Sequence, residues 1–124
     1  MPRDRICIDF DGVIHLLDNW EPGQSVTVIA GEAVPGTREA IAQLRETYEV
    51  VVLSCRAEKA QGRRAIAQWL KEQGIKVDRI TAQKLPALVY VDDRALHFYG
   101  DWAETLRDIK DFRPWRPWRK ECRA

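Results

Sequence analysis

Cysteine is scarce in this chain: three in 124 residues, Cys7, Cys55 and Cys122, odd in number, far apart and without C-x-x-C spacing. That argues against a disulfide framework and a zinc site, so free thiols are expected, with Cys55 read as buried and inert. Long apolar runs are missing too. None approaches the roughly 20 residues of a membrane span, and Met-Pro-Arg-Asp-Arg leads straight into an apolar segment without the length of a signal peptide. The expectation is a cytoplasmic protein with no membrane partner. No internal repeat is found, and 124 residues leave no room for a second core.

An excess of one charge is also absent overall, at a formal +1, but the charge is uneven. Residues 113–124 hold Arg113, Arg116, Arg119, Lys120 and Arg123 against Glu121, a net of +4, which leaves the body at −3. The chain therefore divides into a core, 1–112, and a basic Trp/Pro-rich tail, 113–124. The tail repeats Arg-Pro-Trp twice. Proline keeps it out of helix and favours an extended path, while Trp beside Arg suits stacking on bases or packing across a groove. Three readings stay open for it: a latch on its own body or a neighbouring subunit, a nucleic-acid contact, or a solvated tail.

What is present is organised around Ile6-Cys7-Ile8-Asp9-Phe10-Asp11-Gly12-Val13-Ile14. An apolar, β-branched run bounded by Gly reads as a buried strand, and in an open parallel sheet ligands bind just past the carboxyl ends of strands. Two carboxylates this close need a cation or a shared proton, so the pair implies either Mg²⁺ or split acid/base roles. Residues 15–31 are turn-rich and then β-prone, with Val26, Val28 and Ala30 alternating, and read as a β-hairpin flap. A helix is expected from Pro35 to about Tyr48, a buried strand over 49–53, and a helix over about 57–73 whose first turns Gly62 weakens. A short strand around 79–82, a fourth buried strand over 87–91, a brief edge strand over 95–99 and a helix opened by Asp101-x-x-Glu104 complete the pattern. Alternating strands and helices predict an α/β fold: a three-layer α/β/α sandwich around a mostly parallel, Rossmann-like sheet.

Three of these strands end in polar residues suited to one reaction: Asp9 and Asp11, Ser54, and Asp92 with Asp93, with Lys84 in the loop before the last. Phosphoryl transfer needs a nucleophile, counter-charge, hydrogen-bond donors and a proton for the departing alcohol. In order and spacing, Asp9-x-Asp11-Gly12-Val13, Ser54, Lys84 and Asp92-Asp93 resemble the four motifs of the haloacid dehalogenase-like phosphohydrolase superfamily, over about residues 5–102.

That resemblance implies a Mg²⁺-dependent phosphatase in which Asp9 forms an aspartyl-phosphate and Asp11 protonates the leaving group and then activates water. Ser54 and Lys84 would hold the phosphoryl oxygens; Arg56, two positions after Ser54, is read from its place alone either as a further contact to a substrate anion or as a salt bridge on the framework. Asp9, the Asp11 main-chain carbonyl, Asp92 and Asp93 would hold the metal. Only 43 positions separate Asp11 from Ser54 and 30 separate Ser54 from Lys84, too few for the cap domain of larger members. An uncapped site implies a macromolecular substrate, here a nucleotide or nucleic-acid end, or a homo-oligomer that closes the site around a small one. The reading from another class is a non-catalytic regulatory module that holds Mg²⁺ and a phosphorylated ligand in the same pocket. His15 and Trp20, on or near the flap, are read as substrate contacts or flap packing, and His97 as structural.

Overall fold

A computed structural model of the chain describes residues 2–16 and 23–115. Four strands, β1 (Arg5–Asp9), β2 (Glu49–Leu53), β3 (Arg79–Thr81) and β4 (Val89–Val91), form one all-parallel sheet in the order β3-β2-β1-β4. The helices are α1 (Thr37–Arg45), α2 (Ala60–Glu72) and α3 (Trp102–Asp111), with a 3₁₀ turn, Cys55–Glu58, ahead of α2. None of these helices is long and apolar enough to cross a membrane.

The core lies under β1 and β2. Side chains alternate along a strand, so Ile6, Ile8, Val50 and Val52 pack into one cluster with Ile41 of α1 and Ile66, Trp69 and Leu70 of α2. Cys7 and Val51 point the other way and are equally buried. The steps from β1 through α1 to β2, and from β2 through α2 to β3, run in the same direction, and right-handed crossovers then put both helices on one face. Asp78 ties this half together: it accepts from the Val50 amide at 2.8 Å and from Arg45 at 3.0 and 3.3 Å.

The structure corrects several expectations. The second helix is broken in two, because Lys59 adopts an extended conformation between the 3₁₀ turn and α2. Gly62 is a close-approach residue: a Cβ there would lie 1.6 Å from the Arg56 carbonyl oxygen, so only glycine lets α2 seat against the 3₁₀ turn. Of the expected hairpin flap, residues 17–22 lie outside the described residues, and 23–31 form turns and no strand. Their carbonyls bond to side chains in place of a ladder: Val26 and Val28 accept from Arg56, and Ala30 from His15. Nor is there a strand over 95–99. Finally, β4 is not buried: Val89, Tyr90 and Val91 are all exposed. It is the last strand of the sheet, and no residue of α3, which follows it, is buried.

Candidate functional site

Parallel pairing brings the ends of β1, β2 and β4 to one rim of the sheet, since Asp9 pairs with Leu53 and Ile8 with Val91. Asp9 ends β1. The next residue, Phe10, is fully buried, and its carbonyl accepts from the amides of Val13, Ile14 and His15 at 3.3, 3.0 and 2.9 Å, curling the chain back on itself. Gly12 sits in that curl at φ +88°, and a Cβ on it would lie 2.2 Å from Asp93 Oδ2. Glycine is therefore what lets the loop after β4 close on the end of β1.

Asp9, Asp92 and Asp93 each offer a carboxylate oxygen within 4.8 Å of the others. Asp92 is held in place by the Arg94 amide, which donates to it at 2.7 Å. Asp93 Oδ2 is buried and has no hydrogen-bond partner among the described residues. A buried, undonated acceptor among three acids is costly unless a cation or proton satisfies it. Consistent with that, burial and then the neighbouring Asp92 and Asp93 carboxylates push Asp9 up to about 8. The donor set is all oxygen, compact and negative, which fits a hard divalent cation such as Mg²⁺.

Asp9, Ser54, Lys84 and Asp92 line one cavity of about 830 Å³. Ser54 is buried at the start of the 3₁₀ turn, where its hydroxyl accepts from the Arg56 amide at 3.2 Å. Lys84 is exposed and rests its ammonium 4.9 Å from the centre of the Tyr90 ring. The opposite wall is apolar, with Leu88, Leu96 and Phe98. His97 also lines the cavity and stacks on Tyr99. Cys55, expected to be a buried thiol, is exposed on the cavity wall because the 3₁₀ turn directs it outward, while Cys7 is the buried one.

The Asp11 side chain is not part of the three-acid cluster. Arg56 grips it with two donors, Nε to Oδ2 at 2.8 Å and Nη2 to Oδ1 at 3.1 Å, and His15 Nδ1 lies 3.0 Å from Oδ1. Burial alone would raise Asp11, but the hydrogen bonds from His15 and Arg56, together with their charge, more than reverse this and hold it below the usual carboxylate range. Arg56, read as a contact to a substrate anion or as a framework salt bridge, thus pairs with Asp11. Its Nη1 donates to the Val26 and Val28 carbonyls, so one buried guanidinium joins the 23–31 segment to Asp11. His15 is buried, stacked on Phe10 and edge-on to Trp69. Sequence reading missed its role as the Asp11 partner, although the i, i+4 spacing was available as a signal. Trp20 lies outside the described residues. At the start of the tail, the Trp115 indole N–H donates to the Gly12 carbonyl at 2.8 Å. No family model matches the chain, and no curated protein matches it.

Proposed function

We propose that this chain is a Mg²⁺-dependent phosphomonoesterase of the haloacid dehalogenase-like type, uncapped, with Asp9 as nucleophile. The observation that carries the reading is the gathering of the Asp9, Asp92 and Asp93 carboxylates within 4.8 Å, beside a cavity that Asp9 and Asp92 line together with Ser54 and Lys84. Asp9, Asp92 and Asp93 would hold the metal, which when bound supplies positive charge against the phosphoryl oxygens and keeps Asp9 ionised. The Asp9 carboxylate attacks phosphorus, the ester oxygen leaves, and an aspartyl-phosphate remains on Asp9. Ser54 donates its hydroxyl proton to a phosphoryl oxygen, and Lys84 swings from the Tyr90 ring to offset the negative charge. Asp11, ionised between Arg56 and His15, is ready to take a proton from the water that releases phosphate. To protonate an alkoxide leaving group it must first gain a proton and loosen its hold on Arg56.

The test is a panel of phosphate monoesters with phosphate detection. Turnover of a generic aryl phosphate is expected with Mg²⁺, none with EDTA, and at least a thousandfold less with Asp9→Asn. No release from any substrate would overturn the reading. One observation favours the alternative, a non-catalytic module that binds Mg²⁺ and a phosphorylated ligand: Asp11 is tied to Arg56 and His15 and is not free beside Asp9. That module would show a ligand-induced rise in Tm without phosphate release.

A further inference from the structure

Ten large apolar side chains between Leu88 and Ile109 are exposed, among them all of β4 and the stripe Trp102, Leu106 and Ile109 of α3, at 67, 64 and 55%. A parallel sheet is normally covered on both faces, and an amphipathic helix is stable because its apolar stripe is buried. Among the described residues the strand lacks a cover and the helix lacks a floor. A small substrate held in the cavity beside Asp9 would not cover them, since Trp102, Leu106 and Ile109 are not among the residues lining it.

We infer that residues 88–109 form a self-association surface, and that a second copy of this chain covers it. The missing pieces are complementary and both belong to one chain, so a two-fold pair satisfies each copy in the same way. The area is right: these side chains expose on the order of 1,000 Å² per copy, against about 800 Å² per partner in a standard stable interface and a few hundred in the apolar patches of ordinary monomers. Charge argues against two other occupants. Residues 92–111 carry Asp92, Asp93, Asp101, Glu104, Asp108 and Asp111 against Arg94, Arg107 and Lys110, a net of −3, which disfavours an anionic lipid surface or a nucleic acid. Leu88, Leu96 and Phe98 belong both to this surface and to the cavity wall. The second copy therefore also closes the open side of the cavity.

The experiment is the solution mass of the full chain by size-exclusion chromatography with light scattering, at tens of micromolar. The expected mass is twice 14.4 kDa. Leu106→Asp combined with Val91→Asp should return it to 14.4 kDa and weaken association by at least about a hundredfold. Because neither side chain is buried within one copy, the far-UV circular dichroism of the variant should match wild type, which separates lost association from lost folding. A wild-type chain that stays at 14.4 kDa at every concentration overturns the inference, and so does a dimer whose mass survives the double substitution. The readout is mass, so it stands or fails without any phosphate chemistry.

Discussion

β2 and β4 flank β1 with nearly the same side chains, Val50-Val51-Val52 on one side and Val89-Tyr90-Val91 on the other. The three valines of β2 are 0% exposed, whereas the β4 residues are 46, 37 and 42% exposed. The difference lies in the connections. β2 is entered from α1 and left through the 3₁₀ turn and α2, all packed on the sheet; β4 is entered from a short loop and left toward a helix with no buried residue. An apolar strand sequence says that a cover is required. It does not say which chain provides it.

Substitutions in the two strands sharpen the contrast. Val51→Ala should cost roughly 2–3 kcal/mol by urea or thermal unfolding, because it opens a cavity in a closed wall. Titration acts at the rim between the two strands. An unfolded chain releases the Asp9 proton near 3.8, whereas the folded metal-free chain keeps it to about 8, so between these values the folded state binds more protons. Its stability from this group therefore falls as pH rises from 4 to 8. Millimolar Mg²⁺ should reverse the fall above pH 7 by on the order of 1 kcal/mol, a rise of several degrees in Tm. A Tm that does not respond to Mg²⁺ at pH 8 would detach the acid cluster from cation binding. The smallest effect is expected at β4: in dilute protein Val91→Ala should stay within about 0.5 kcal/mol, growing with protein concentration as copies meet. A concentration-independent cost equal to that of Val51→Ala would erase the contrast between the strands.

Strands β1 to β3 and the parallel sheet were legible in the sequence because their runs are short, apolar and bounded by turn residues or helical periodicity. The site acids were legible because each lies at the end of such a run. What escaped depends on distant partners. The alternation Val26, Val28, Ala30 suits a strand, but the backbone there bonds to Arg56 and His15, from elsewhere in the chain. The clamp on Asp11 needs Arg56, 45 positions away. Gly62 looked like a weak point in a helix and is a contact with the Arg56 carbonyl. The exposure of β4 and α3 was invisible because their sequences are those of buried elements.

The most direct test of the phosphoryl-transfer account is an acid quench of wild-type protein during turnover of an aryl phosphate with Mg²⁺, followed by peptide mass mapping. Phosphate covalently attached to the peptide that carries Asp9, and absent in EDTA, is the predicted result. Turnover with phosphate on a different residue, and none on Asp9, would contradict it.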